Sequence, residues 1–555
     1  MHRLRTIFAA VALAYLLAPL IASAPLFDPD EGLHAAIAQE MNLRGDYVTP
    51  TFLGQPFLDK PILFFWAEAA SLRIFGDNET AIRMPPLLFG LLGMIAVAVL
   101  GRSLFDEATG LVAGIVYATM LLPLGVSQVA VHDIGLVPFM CVAAYCLHRV
   151  SLASTEPSVA SAFRRNFLLL AVAAGVCLGL SILTKGLVGV VFAGIFAAWL
   201  AVHRPAATIR LAVALAIAGV VALLVAAPWY FAMEAAHPGY LHYYFVERHL
   251  QGYLTATQRH AGRPWWYYLP IVIGGTLPWA GYLAGALGRM SGQTRVLWAW
   301  FATGLVFLSI GESKLVTYAL PLFPILALIV AEYLSSGAFR VDTRDRVRVA
   351  AFGVHVLTLA VLPALGLILL RWKFGVVHPY VSVAVAVFSL LAIDAGRRAL
   401  RSAGEYGFIA WTARASVYTL LGMMAVLPRA ASWMTARDLA ATLNTGGTLP
   451  SRVSVLDERI GSLVFYLDPA LRAEATAERL DEASFAEAIA RARVDPDDAV
   501  IAVRNNQLPQ FMRLFARPPA PDARAGTFTI FRAATLREAL QPAPDGSILK
   551  PPRLP

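Results

Sequence analysis

The chain has 555 residues, of which 58% are hydrophobic and only 15% are charged. With a mean hydropathy of +0.64, this composition excludes a soluble globular enzyme and indicates a polytopic membrane protein. The formal net charge of +9 could indicate a nucleic-acid partner. The basic residues lie in short loops between apolar runs, however, so we expect no nucleic-acid partner.

The apolar runs predict a polytopic α-helical membrane protein with about thirteen spans, since a span needs about 20 apolar residues. The first run also resembles a secretory signal peptide, with a small-residue cleavage site at 22–24. Pro25 directly after that site favours an uncleaved anchor. The predicted spans lie near residues 7–24, 82–100, 109–127, 133–150, 166–184, 186–202, 209–231, 266–287, 294–311, 315–334, 349–370, 376–394 and 408–428.

Basic residues in alternate short loops predict the orientation of these spans. The loops that would be cytoplasmic carry Arg3, Arg5, Arg102, Arg149, Arg164, Arg165, Arg204, Arg210, Arg289, Arg295, Arg340, Arg344, Arg346, Arg348, Arg397, Arg398 and Arg401. The opposite short loops carry little beyond Lys185, Lys314, Arg371 and Lys373. By the positive-inside rule the N-terminus is predicted to be cytoplasmic and the C-terminal region external.

Two stretches within a predicted membrane domain, residues 1–430, are too patterned to be simple connectors. In the first external loop, 25–81, an amphipathic helix is predicted over 31–43, lying on the membrane with its apolar side down. A second helix is predicted over 62–75. The second loop, 232–265, is rich in Tyr, His and Arg. It is suited to sugar stacking and phosphate pairing, or alternatively to an aromatic belt at headgroup level.

After Pro428 the composition becomes that of a soluble region, and residues 431–555 are predicted to form a small α/β domain with a Pro-rich tail. Strands are predicted over 453–456, 463–467, 500–503 and 527–531, with helices over 437–443, 478–493 and 508–515. The region contains neither a G-x-G-x-x-G nor a Walker pattern, so we assign it no nucleotide.

Polar residues recur at the external ends of separate predicted helices. Side chains that converge from several helices at one depth are what a buried active site requires, although each of them could instead cap a helix end. The residues are Asp30, Glu31, Asp59, Lys60, His132, Asp133, Lys185, Arg248, His249, His260, Glu312, Ser313 and Lys314.

The order of these motifs resembles the GT-C glycosyltransferases of the protein O-mannosyltransferase and aminoarabinose-transferase type. Asp30-Glu31 precedes a helix containing Ala38-Gln39-Glu40-Met41, and the resemblance covers about residues 10–335. The chain looks most like the 4-amino-4-deoxy-L-arabinose transferases that modify lipid A. The other matching runs are 45–50, 57–61, 181–186, 228–230, 245–249, 260–266 and 313–321.

The resemblance implies transfer of a sugar from a polyprenyl-phosphate carrier at the periplasmic face of the bacterial inner membrane. The acceptor would be lipid A or another envelope glycan, or a protein in an O-mannosyltransferase-like enzyme. A leaving phosphate needs cations where negative charge develops. Lys60 and Lys185 are the best matches for that role. The other expected phosphate ligands are Arg248, Lys314 and Tyr318.

Among the acids, Asp30 matches the first-loop Asp that acts as a general base or orients the acceptor, with Glu31 beside it. Asp133 matches a second catalytic acid that supports this site. Asp59, His249 and His260 offer ligands for a divalent ion such as zinc or magnesium. A metal-free site held by Lys–Asp pairs is the alternative.

The chain departs from the aminoarabinose-transferase pattern in the first loop. Gly32, Leu33 and His34 stand where the family has Thr-Arg-Tyr, Phe57 replaces Tyr, and Asp59 replaces Glu. Because of these changes, the identity of the donor sugar and of the acceptor stays open. The expected reaction class is not affected. A transporter of lipid-linked sugars is a further alternative. Such a transporter should carry charges near the bilayer midplane in matched halves, whereas the polar residues here lie at the predicted external ends of the helices.

Overall fold

The computed structural model shows a mainly helical protein whose contacts divide it into two compact units. The first unit comprises Met1–Ala22, Tyr47–Thr49 and Leu58–Val426. The second comprises Ser23–Asp46, Pro50–Phe57 and Leu427–Pro555, so much of the first external loop groups with the C-terminal region. The structure describes all residues except 22–23, 153–159, 256–261, 289, 291, 336–349, 351–352, 355–356, 358–360, 362–363, 370, 373–378, 402–409, 416, 420, 423–425, 427–430, 432, 446–449, 457–459, 473–474, 478–481, 516 and 541–555.

The described helices follow the predicted apolar runs closely along most of the chain. A π-helix, His242–Gln251, and a 3-10 helix, Val316–Ala319, interrupt the series. In chain order the α-helices are α1 (His2–Ile21), α2 (Asp30–Arg44), α3 (Leu63–Phe75), α4 (Glu79–Leu104), α5 (Glu107–Thr119), α6 (Leu121–Val126), α7 (Asp133–Leu152), α8 (Ala160–Lys185), α9 (Val188–His203), α10 (Thr208–Ala236), α11 (Gly252–Leu254), α12 (Tyr268–Thr276), α13 (Gly281–Leu287), α14 (Gln293–Ile310), α15 (Leu322–Ser335), α16 (Pro379–Arg401), α17 (Arg437–Asn444), α18 (Gly461–Tyr466), α19 (Pro469–Arg472), α20 (Glu482–Ala492), α21 (Leu508–Met512) and α22 (Ala533–Leu540).

Several described helices are long and apolar enough to cross a membrane, which makes the chain a multi-pass membrane protein. Within the described residues there are five such helices, or six if one bent pair is counted as a single span. About half of each of the predicted runs 349–370 and 408–428 lies outside the described residues. The count of thirteen spans therefore stays a prediction. The five are Glu79–Leu104, Asp133–Leu152, Asn166–Lys185, Pro205–Ala236 and Pro379–Ala399.

Within the described residues, one predicted span, 315–334, is divided between the 3-10 helix and α15, and two others are each divided between two α-helices. The run 109–127 is divided between α5 and α6 at Met120, whose backbone is extended, and Pro123 lies in the first turn of α6. The run 266–287 is divided between α12 and α13, and the two pieces, 265–276 and 281–287, meet at 108°. Pro278 lies in the break and has no N–H to donate to a helix. Hydrophobicity alone does not reveal either break.

Close packing against α10 holds α8 in position. Gly175 and Gly179, four residues apart on α8, face the Ala218–Val225 side of α10, and a Cβ on either glycine would collide with that helix. Small residues at this spacing let two membrane helices approach closely. The C-terminal residue of α8 is Lys185, so this packing holds a predicted site residue in position.

The two predicted helices of the first external loop are present as α2 and α3. The prediction that the apolar side of α2 lies on the membrane is wrong, because its buried residues pack against protein. Ala35, Ala36, Ile37 and Ala38 are at most 2% exposed, and α2 packs against α18 within the second unit. A run of small residues allows this close helix contact, which an amphipathic pattern cannot distinguish from a contact with lipid.

The C-terminal region contains a five-stranded mixed sheet in the order β4-β3-β5-β7-β6. Strands β3 and β5 pair in parallel, whereas β5, β7 and β6 pair antiparallel. One face is covered by a core that includes Phe485, Phe511 and Phe531. The strands are β3 (Val453–Leu456), β4 (Ala475–Ala477), β5 (Val500–Arg504), β6 (Ala523–Ala525) and β7 (Phe528–Arg532), and a separate hairpin joins β1 (Thr51–Phe52) to β2 (Gln55–Pro56).

One of the four predicted C-terminal strands is wrong. The run 463–467 lies mostly in helix α18, Gly461–Tyr466. A short, fully apolar run has no periodicity that separates a buried strand from a buried helix. Leu463, Val464 and Phe465 are all buried in this helix, so the contacts of the folded chain decide its conformation.

Candidate active site

Three predicted site residues meet at the ends of two helices in the first unit. Lys185, the last residue of α8, forms an ion pair with Asp133, the first residue of α7, and their side chains are only 12% and 8% exposed. The Lys185 ammonium also lies 4.2 Å from the centre of the Tyr318 ring. An anion at a helix N-terminus and a cation at a C-terminus are each favoured by the helix dipole. Lys185 is thus held in place by a carboxylate and an aromatic face.

A second ion pair joins Asp59 to the π-helix. Arg248 donates to Asp59 Oδ2 at 2.7 Å, and the Tyr243 hydroxyl donates to Oδ1 at 2.5 Å. Burial, followed by the bond to the Asp59 carboxylate, raises the pKa of Tyr243 to about 12. The ion pair is about one-third exposed, at 30% for Arg248 and 35% for Asp59. Its guanidinium can therefore be reached by a ligand from solvent.

The π-helical form of His242–Gln251 explains how these residues are presented. A π-helix is rare, is often found at functional sites, and hydrogen-bonds residues five positions apart. Tyr243 and Arg248, five positions apart, both contact Asp59. Tyr244 and His249, also five apart, place their ring centres at 4.5 Å. The α-helical spacings of three and four residues would not bring either pair together.

The imidazole of His249 lies among the predicted phosphate-binding cations. Its Nδ1 is 2.7 Å from the Tyr244 carbonyl oxygen, which can only accept, so Nδ1 carries the hydrogen and Nε2 the lone pair. Burial lowers the pKa of His249, and the charges of Lys60, Arg248 and Lys185 lower it further. The charges of Lys60, Arg248 and Lys185 thus all act on this ring, and the lowered pKa favours its neutral form.

Gly186 forms the contact between this ring and the end of α8. The residue has a φ of +72° and directly follows Lys185, and a Cβ at this position would overlap His249 Nε2. The left-handed conformation and the lack of space both favour glycine. The π-helix is thus packed directly against the turn that carries Lys185.

Lys314 is buried at 3% exposure, and its ammonium lies 3.3 Å from the Arg263 carbonyl oxygen. The described contacts do not place it among the cations around His249. Its predicted role as a phosphate ligand stays a prediction, as do the roles of the other site residues.

The acids of the first loop lie in the second unit and differ sharply in exposure. Asp30, in the first turn of α2, is exposed, whereas Glu31 is fully buried and accepts the Phe27 N–H at 3.2 Å. Asp28 is buried at 2% and accepts from both the N–H and the hydroxyl of Ser462. Sequence reasoning missed this contact because the partner lies more than 400 positions away.

The predicted metal ligands do not assemble into a site within the described residues. No group of three or more His, Cys, Asp or Glu side chains among them could hold a metal ion. Both oxygens of Asp59 contact Arg248 and Tyr243, and His260 lies outside the described residues. The binding of zinc or magnesium stays a prediction.

The aromatic side chains of the second loop divide into an internal and an external set. Tyr240 and Tyr244 are at most 2% exposed and pack on each other and on Tyr230. Trp265 and Trp266 are 73% and 51% exposed. The internal set therefore supports the π-helix, and the two exposed tryptophans are accessible to a lipid headgroup or a sugar.

Comparison with known proteins agrees with this geometry. The family profile described as dolichyl-phosphate-mannose-protein mannosyltransferase matches residues 59–231. The undecaprenyl phosphate-alpha-4-amino-4-deoxy-L-arabinose arabinosyl transferase of Erwinia tasmaniensis is 30% identical over 468 residues, covering 81% of this chain and 77% of that protein. The enzyme of the same name from Pectobacterium carotovorum is 31% identical, covering 78% and 73%.

Solved structures show the same fold. ArnT from Cupriavidus metallidurans bound to undecaprenyl phosphate aligns with a TM-score of 0.74 at 24% identity, covering 96% of this chain and 98% of that one. The archaeal oligosaccharyltransferase AglB from Archaeoglobus fulgidus aligns with a TM-score of 0.51 at 13% identity, covering 95% and 74%. The resemblance drawn from the motifs is confirmed. The chain belongs to the GT-C glycosyltransferases of the undecaprenyl phosphate-aminoarabinose arabinosyl transferase family.

Proposed function

We propose that this enzyme transfers 4-amino-4-deoxy-L-arabinose from undecaprenyl phosphate to lipid A. The observation that carries the proposal is a pair of held cations: Arg248, paired with Asp59, lies in the π-helix that packs against the turn after Lys185, and Lys185 is paired with Asp133. Such a pair of cations matches a lipid-linked phosphate, which must be bound in the donor and stabilised as it leaves. The names of the relatives supply the sugar and the carrier.

In the proposed reaction the bond between the sugar's anomeric carbon and the phosphate oxygen breaks. Negative charge then grows on the phosphate, and Lys60, Lys185 and Arg248 stabilise it there. Asp133 acts through Lys185, whose ammonium it holds beside Tyr318. Because these contacts hold Lys185 in position, its ammonium needs little reorganisation during transfer.

Asp30 is proposed to act on the acceptor, because it is the exposed carboxylate of the first turn of α2. A hydroxyl acceptor loses its proton as its oxygen bonds to the anomeric carbon, and Asp30 would take that proton. A lipid A phosphate is already ionised near neutral pH, with a second pKa of about 6. For that acceptor Asp30 would orient the reacting group rather than remove a proton.

We further propose a location in the bacterial inner membrane, with thirteen spans and with the active site and C-terminal region in the periplasm. The arginine-rich short loops support this orientation. A divalent ion, if used, would have to compete with Arg248 for Asp59. Chelation followed by elemental analysis of the purified protein tests for such an ion directly.

Mass spectrometry of lipid A from cells with and without the chain tests the function. A pentosamine on lipid A that depends on the chain is expected, and Asp30→Asn should abolish its addition. A hexose found on envelope protein instead would contradict the proposal and support an O-mannosyltransferase-like activity. Normal turnover by the Asp30→Asn enzyme in reconstituted vesicles would contradict the assignment of Asp30.

A further inference from the structure

Asp28 connects the acidic first loop to the C-terminal region through a buried pair of hydrogen bonds. The Ser462 N–H donates to Asp28 Oδ1 at 2.9 Å, and the Ser462 hydroxyl donates to Oδ2 at 2.5 Å. The two residues are 2% and 0% exposed. A buried carboxylate is costly unless it is hydrogen-bonded, so this contact strongly favours one arrangement of the two segments.

The surrounding backbone reinforces this contact. The Asp28 N–H donates to the Met434 carbonyl at 2.8 Å, and the Leu26 N–H donates to the Tyr466 hydroxyl at 2.8 Å. The Ser462 hydroxyl in turn accepts from the Ala436 N–H at 2.9 Å. The segment that enters α2 is therefore fixed at successive points by the C-terminal region.

Two glycines bring the backbones of α2 and α18 into direct contact. A Cβ on Gly32 would collide with the Ser462 backbone, and a Cβ on Gly461 would collide with the backbone of Gly32 and Leu33. A larger residue at Gly32 would therefore not fit without moving the two backbones apart.

We propose that the C-terminal region positions the catalytic first turn of α2, with Ser462 as the positioning residue. Asp28 and Gly32 flank the exposed Asp30, and both are fixed by α18. Asp30 is thereby held where it meets the acceptor, and small displacements of a reacting group are costly to the rate. This inference rests on the proposed function, since it takes Asp30 as the residue that acts on the acceptor.

The test is steady-state transfer by the purified full-length enzyme carrying Ser462→Ala. We expect kcat to fall about ten- to a hundred-fold while the KM for the donor changes less than about two-fold. The donor ligands lie in the other compact unit and should be unaffected. Asp28→Asn should lower kcat in the same way, and the double variant should be no slower than the slower single variant.

Ser451→Ala is a matched control in the same region. Ser451 also donates through both its N–H and its hydroxyl to one aspartate, Asp498, at 3.1 and 2.7 Å, but that pair is exposed and neither residue belongs to α18. We expect its kcat to stay within about two-fold of the unmodified enzyme. An equal loss of kcat in Ser451→Ala would show general damage and overturn the proposal.

Folded Ser462→Ala and Asp28→Asn enzymes with normal kcat would also overturn it, as would a change confined to the donor KM. If Ser462→Ala is not recovered folded, Asp28→Asn alone decides. Asp30→Asn, assayed in parallel, distinguishes a failure of the positioning role from a failure of the proposed function. An inactive Asp30→Asn with a normal Ser462→Ala defeats only this inference, whereas an active Asp30→Asn defeats the proposed function.

Discussion

At the scale of single residues, the buried pair of Lys185 and Asp133 shows how the chain prepares a phosphate site. A lysine at 12% exposure pays a large desolvation cost, which the neighbouring carboxylate offsets. Both residues can be predicted from the sequence because each lies at the end of an apolar run, on the side that the positive-inside rule predicts to be external. Their direct contact was not predicted, since hydrophobicity gives the ends of α7 and α8 but not their separation.

If Asp133 acts through Lys185, substitutions at the two positions should not be additive. Asp133→Asn and Lys185→Met should each lower kcat/KM for the donor by about a hundred-fold, and the double variant should lie within about three-fold of Lys185→Met. A double-mutant cycle with purified enzyme measures this. Asp394→Asn removes the carboxylate of an exposed pair with Arg398 and should have no effect. Fully additive losses would contradict the assignment.

At the scale of elements, the sequence predicted helices well where a long apolar run was uninterrupted. It failed for α18, where five apolar residues carry no periodicity, and for the breaks beside Pro123 and Pro278. It also gave no indication of the π-helix, because the rules for amphipathic helices use spacings of three and four residues. The sequence therefore predicts Arg248 and His249 as separate site residues. It does not predict the five-residue spacing that brings them together with Tyr243 and Tyr244.

The contact between the π-helix and α8 can be tested at Gly186. Gly186→Ala adds both a strained left-handed alanine and a collision with His249, which should displace the turn after Lys185. We expect a loss of transfer of at least about ten-fold, measured as kcat/KM for the donor. Gly239→Ala is the matched control, because Gly239 has a φ of +92° and open space around its Cβ position. It should cost about 1 kcal/mol of stability and little activity.

Equal activity losses in the two glycine variants would mean that backbone strain alone is responsible. In that case the contact between Gly186 and His249 would have no special part in holding Lys185.

At the scale of the whole molecule, the residues proposed to act on the donor and on the acceptor belong to different compact units. Lys60, Lys185, Arg248 and Asp133 belong to the first unit, whereas Asp30 belongs to the second with the C-terminal region. Composition alone would have assigned the whole first loop to the membrane domain. The grouping arises from contacts such as Asp28–Ser462, which join segments more than 400 residues apart and leave no local trace in the sequence.

A chain that ends at residue 426 should therefore keep donor binding and lose transfer. Without residues 427–555, α2 loses its packing against α18, Asp28 loses its bonds to Ser462, and Asp30 loses its fixed position. The phosphate-binding cations keep their own contacts, so undecaprenyl phosphate should bind within about three-fold of its affinity for the full-length enzyme. Binding in detergent and transfer in vesicles measure the two properties, with full-length Asp30→Asn as the control that binds without turnover. Retained transfer would show that α2 does not depend on the C-terminal region, and lost binding by a folded truncated chain would show that the first unit does not hold the donor by itself.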